Sequence, residues 1–173
     1  SIGGRPQGFS PAAVNALSDG RMIQSMRRVL LEQGEKAVDP PYVAKGEKET
    51  KVVREGNKVH VYMTAIRSHL APDNIEGIRV GDEVYFHVTN LEQDWDVPHG
   101  FAVKGANNAE LLIMPGETTT LKWIADKPGM FPFYCTDFCS ALHQEMSGYA
   151  RVSPKGSPVK LAWNAPGEAI RGN

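Results

Sequence analysis

The stretch Phe133-Tyr134-Cys135-Thr136-Asp137-Phe138-Cys139-Ser140-Ala141-Leu142-His143-Gln144-Glu145-Met146 decides how this chain reads. It joins two strand-like runs, Met130 to Tyr134 and Gly148 to Val152, so it is expected to be a loop at one end of a β scaffold, where functional groups gather. Two thiols, an imidazole and a thioether fall within twelve residues. Thiolate and thioether are soft ligands that favour copper over magnesium, calcium or manganese. Zinc accepts thiolate and imidazole but seldom a thioether, so Met146 points to copper. Cys139 and His143 stand at i and i+4, with Met146 at i+7, a spacing that would set all three on one face of a helical turn.

Alone, a Cys-x3-Cys pair is compatible with either a short-loop disulfide or a metal site. His143 and Met146 move the reading toward metal, and the second imidazole has to come from elsewhere. His99, in Val97-Pro98-His99-Gly100-Phe101, sits between two strand-like runs and is the candidate. His60 and His87 lie on strand faces opposite the apolar ones and are expected to face solvent, and His69 is expected in a loop. Met63, Met114 and Met130 read as core or rim packing. Trp95, between Asp94 and Asp96, reads as a surface aromatic near the site, with acids that could steer a basic partner.

Outward from the loop, the apolar pattern has period two. Val59, Val61 and Met63 alternate with His60, Tyr62 and Thr64; Val84, Phe86 and Val88 with Tyr85, His87 and Thr89; Thr119, Leu121 and Trp123 with Thr118, Thr120 and Lys122. Turn chemistry separates these runs at Pro72-Asp73-Asn74, Gly81-Asp82, Pro115-Gly116 and Lys127-Pro128-Gly129. Recurring strands with turns between them predict an all-β sandwich. Before it, Ser10-Pro11 opens a helix-like run to Gln33, with Val14, Leu17, Ile23, Met26, Val29 and Leu30 as its stripe. The expected organisation is a helix and linker over 1–57, the β domain over 58–153 and an extended tail over 154–173.

The formal net charge of −1 and a pI near 6.5 give no footprint for nucleic acid. No run approaches the roughly 18 apolar residues of a membrane span. The chain opens Ser1-Ile2-Gly3-Gly4, which reads as a processed or truncated start, so missing targeting signals carry no information on compartment. Two cysteines, four residues apart, do not make a disulfide scaffold.

The motif Cys-x3-Cys-x3-His-x2-Met with an upstream His resembles the CuA copper site. More narrowly, Phe138-Cys139-x-Ala141-Leu142-His143-x-Glu145-Met146 with His99-Gly100-Phe101 is similar to the C-terminal cupredoxin domain of nitrous oxide reductases. The resemblance covers residues 58 to 153 and implies a cupredoxin-like Greek-key β-sandwich. It implies two copper ions in a mixed-valence pair, bridged by Cys135 and Cys139, with His99 and His143 each on one copper. Met146 and the backbone carbonyl of Asp137 would be the weak ligands. Relatives carry Trp or Glu where Asp137 stands; a carbonyl ligand survives that change, whereas an electron path through a Trp ring does not. The resemblance also implies a periplasmic location, a cytochrome c or cupredoxin donor, and a catalytic β-propeller, here absent, of the other subunit in a homodimer. This chain has too few histidines for the catalytic copper site, so it is expected to transfer electrons without reducing N2O alone. The competing readings are the soluble CuA domain of cytochrome c oxidase subunit II, which usually has Glu and Gly where Asp137 and Ser140 stand, and a zinc or structural domain with no redox role.

Overall fold

The computed structural model describes residues 40–106, 110–136 and 146–172. The helix-like run Ser10 to Gln33 lies outside them. Among the described residues, twelve strands follow a 3-10 turn at Glu47–Glu49: β1 (Lys51–Glu55), β2 (Lys58–Ile66), β3 (His69–Ala71), β4 (Asn74–Arg79), β5 (Glu83–Asn90), β6 (His99–Val103), β7 (Leu111–Ile113), β8 (Thr118–Ile124), β9 (Gly129–Tyr134), β10 (Ser147–Ser153), β11 (Ala162–Asn164) and β12 (Arg171–Gly172). One sheet runs β1-β2-β5-β8, with β3 beside β2; the other runs β12-β11-β4-β10-β9-β6-β7. Both are mixed, since β2 pairs with β5 and β4 with β10 in parallel.

The alternation seen in the sequence is the inner face of the first sheet. Val59, Val61, Met63, Val84, Phe86, Val88, Leu121 and Trp123 are buried against Ile75, Ile78, Phe101, Phe133, Ala150 and Val152 of the second. At the centre, Phe86, Phe101 and Phe133 pack with centroid separations of 5.2, 5.8 and 5.8 Å, within the range in which aromatic pairs add to simple burial. Gly148 is required by space: a Cβ there would come 2.4 Å from the Asp73 carbonyl oxygen and 2.5 Å from the Phe133 ring.

The framework reaches beyond both expected borders. β1 falls inside the segment read as linker, and its Val52 is buried in the core. In place of a wholly extended tail, β11 pairs with β4, setting buried Trp163 opposite Ile75, and β12 pairs with β11. Arg171 fastens this edge to the N-terminal side by donating to the carbonyls of Lys48 and Thr50.

His87 does not face solvent as expected, and His60 is only partly exposed. They are on the outer face, but that face is itself covered: His87 is 3% exposed, and Tyr62, Thr64, Thr89 and Thr120 around it are buried. Alternation tells which residues point away from the core, not whether that second face is wet. His69 begins β3 and is half exposed, with its Nδ1 3.2 Å from Glu47.

Candidate metal centre

Three adjacent strands of the second sheet bring their ends to one place. β6 begins at His99, β9 ends at Tyr134 just before Cys135, and β10 begins just after Met146. Antiparallel pairing of β9 with both neighbours aligns these ends: Ser147 registers with Tyr134, and Ala102 with Tyr134. The Cys135 N–H donates to the Met146 carbonyl at 2.9 Å, continuing the ladder and closing the base of the loop between them.

His99 and Cys135 are sequestered, at 0% and 1% exposure, and Met146 is also buried. The His99 Nδ1 lies 3.7 Å from the Cys135 Sγ. A first-row ion held about 2.3 Å from sulfur and about 2.0 Å from nitrogen at a tetrahedral angle would set those two atoms about 3.5 Å apart. The donor pair therefore fits a metal in spacing as well as in chemistry. Asp137, Cys139 and His143 lie outside the described residues; among the described ones, no group of three His, Cys, Asp or Glu side chains could hold a metal.

His99 presents one nitrogen to Cys135 because the other is engaged. Its Nε2 stands 3.1 Å from Glu92 Oε2, and the Glu92 side chain is only 9% exposed. Glu92 also accepts from the Arg67 backbone N–H, and the Arg67 guanidinium lies 3.7 Å from its other oxygen. Since a carboxylate only accepts, Nε2 carries the proton and Nδ1 is left with its lone pair toward Cys135. Burial disfavours the imidazolium of His99, but the Cys135 sulfur and the Glu92 carboxylate favour it more, so its pKa lies above the ordinary value.

The loop from Leu91 to Pro98 is held by Asn90, which is fully buried. Its amide donates to the carbonyls of Val97 and Ile113, both at 3.0 Å, and its side-chain oxygen accepts from the Glu92 N–H at 2.8 Å. Trp95, at the tip of this loop, is 65% exposed. Sequence reasoning missed both Asn90 and Glu92. Asn90 had a signal: it continues the core-facing series Val84, Phe86, Val88 as a polar residue, which demands buried partners.

No protein-family model matches the chain. It is 42% identical over 106 residues to the nitrous-oxide reductase of Stutzerimonas stutzeri, a stretch that is 61% of this chain and 16% of that enzyme. Cytochrome c oxidase subunit 2 of Thermus thermophilus is 37% identical over 99 residues, which is 56% of this chain and 68% of that subunit. The chain belongs to the family of CuA electron-transfer domains that these two proteins share. A solved heme-copper terminal oxidase dimer contains a chain of the same fold, with a TM-score of 0.56 and 21% identity over 82% of this chain and 94% of that one. As a CuA-family domain the chain is a copper-binding cupredoxin. It spans only about a sixth of the nitrous-oxide reductases it matches. Among the described residues no helix is long and apolar enough to cross a membrane.

Proposed function

We propose that the chain holds a binuclear mixed-valence CuA centre. Cys135 and Cys139 would bridge two copper ions, His99 and His143 would each bind one, and Met146 and the Asp137 carbonyl would be weak ligands. The observation that carries this reading is the buried approach of His99 Nδ1 to Cys135 Sγ, beside a backbone bond tying Cys135 to Met146. When bound, such a pair shares one electron between two metals and so changes its bond lengths little on reduction.

The protein's part is to keep the donors fixed. Cys135 and Met146 are held by the ladder of β9 and β10, His99 by Glu92, and the Glu92 loop by Asn90. Donors set in a packed sandwich need little rearrangement to receive or release an electron. Copper titration of the metal-free protein, followed by visible and near-infrared absorption, should saturate at two ions per chain. Cys139→Ser should saturate at one, with a different spectrum. Saturation of the unaltered chain at one ion would remove the binuclear reading.

The higher identity to nitrous-oxide reductases favours an electron-entry module of that enzyme type, in the periplasm. It would accept electrons from a cytochrome c or cupredoxin and pass them to a catalytic copper site on a β-propeller of the other subunit. The greater share of the Thermus subunit covered favours the second reading, a CuA domain of an oxidase subunit II. Electron delivery from the reduced domain to a separately prepared nitrous-oxide reductase propeller, with none to an oxidase core, would support the first. The opposite pattern would support the second.

A further inference from the structure

A second set of titratable groups lies on the outer face of the first sheet, among residues the copper chemistry does not use. Glu55 Oε1 is 3.2 Å from His60 Nε2, His60 Nδ1 is 2.9 Å from His87 Nε2, and His87 Nδ1 is 2.7 Å from Thr120 Oγ1. These four residues come from β1, β2, β5 and β8, so the chain of contacts crosses the whole sheet from an exposed carboxylate to a buried hydroxyl. The two imidazole planes are within 8° of parallel, and Tyr85 and Tyr62 flank them at 5.1 and 5.0 Å between centroids.

The proton positions follow from one end. A carboxylate only accepts, so His60 carries its proton on Nε2, and a neutral His60 must then accept at Nδ1. His87 therefore donates from Nε2, its Nδ1 accepts, and the Thr120 hydroxyl donates inward. Every nitrogen in the row is satisfied with no net charge on either ring. At 2.9 Å there is room for one proton between His60 Nδ1 and His87 Nε2, and two facing N–H groups would collide.

We propose that Glu55, His60, His87 and Thr120 form a proton-binding relay, running from a solvent-exposed carboxylate to a buried imidazole and hydroxyl, that makes the outer face of the first sheet acid-sensitive. A first added proton sits on His87 Nδ1, with the Thr120 hydroxyl turned round to become the acceptor; the proton between the rings then belongs to His60 Nδ1, so the charge rests on His60 beside Glu55. A second proton has no position between the rings and separates them. Among the described residues, the surroundings supply no further anion for it. Lys58 opposes charge on His60, Glu83 is engaged by Lys122 and the Tyr85 hydroxyl, and Lys51 sits over the Tyr42 and Tyr62 rings. Burial, then the neighbouring His60, push His87 down to about 4, and burial also lowers His60 against the pull of Glu55.

The test is side-chain nitrogen NMR of both histidines in the full chain, titrated with acid from the copper-loaded, chemically reduced form and again from the metal-free form, so that copper release does not set the midpoints. At neutral pH both rings should carry the proton on Nε2. His87 should take up its proton near pH 4, with the Tyr62 and Tyr85 ring signals shifting in the same step. His60→Gln should move the His87 midpoint upward, because the neighbouring imidazole no longer opposes charge there. Thr120→Val should change the His87 Nδ1 signal and Thr120→Ser should restore it, which a merely space-filling role would not require. If His60→Gln does not fold, the tautomers and midpoints of the unaltered protein decide the matter. A His87 proton on Nδ1 at neutral pH, or two independent titrations at the ordinary histidine value, would overturn the proposal.

Discussion

Removing the Glu92 carboxylate should weaken copper binding without unfolding the sandwich. Glu92 is the group behind His99, with its Oε2 3.1 Å from Nε2 and a side chain only 9% exposed, so water does little to replace it. A hydrogen bond to a charged group contributes about 1.5–3 kcal/mol. Loss of such a partner behind a ligating histidine typically costs about 10–100-fold in metal affinity, which is roughly the same free energy. Glu92→Ala should therefore lower copper affinity by about 10–100-fold. Glu92→Gln should lose less, because its amide oxygen can still accept from Nε2–H and from the Arg67 N–H. The assay is competition with a chelator of known affinity at fixed pH, with thermal unfolding of the metal-free proteins as a control for folding. If Glu92→Ala binds copper within twofold of the unaltered chain and gives the same spectrum, Glu92 does not orient His99 and the reasoning fails.

Asn90→Ala strands the carbonyls of Val97 and Ile113 and frees the Glu92 loop; it should cost on the order of 3 kcal/mol in chemical denaturation and reduce copper retention as well. Gly148→Ala forces a methyl against the Asp73 carbonyl and the Phe133 ring, and should destabilise by about 1–3 kcal/mol, read as a lower denaturant midpoint. Stability should fall with acid through the His87 window, because its folded pKa is about 4 and its unfolded value 6.5. Between those values the unfolded chain binds more protons, so a contribution of about 3 kcal/mol is present above the upper value and lost as pH falls to the lower one. His87→Gln should flatten that part of the stability–pH curve. Copper loading should also fall in acid, since His99 must shed its proton to bind; loading that is unchanged across mildly acidic pH would contradict its role as a ligand.

The three strands β2, β5 and β8 are legible because each carries its inward-facing residues in strict alternation, and the turns between them use Gly, Pro, Asp and Asn. β1 is not, since Lys51-Val52-Val53-Arg54-Glu55 offers one core residue, Val52, among charges. Nor is β11, only three residues long, whose place is set by Trp163 meeting Ile75 far along the chain. The donor types at the site could be read from the loop motif, because soft ligands at that spacing narrow the metal by chemistry alone. The arrangement around them could not: Glu92 and Asn90 act through contacts created by sheet register and loop path, which single-sequence periodicity does not encode. His60 and His87 show the same limit, since their alternation correctly put them off the core face but said nothing of the cover over them.

The central claim is tested most directly by electron paramagnetic resonance of the copper-loaded chain, with copper counted per chain in the same sample. The account predicts two coppers and a seven-line hyperfine pattern, the signature of one unpaired electron shared equally by two copper nuclei. A four-line pattern with one copper per chain would contradict it and leave a mononuclear site at His99 and Cys135.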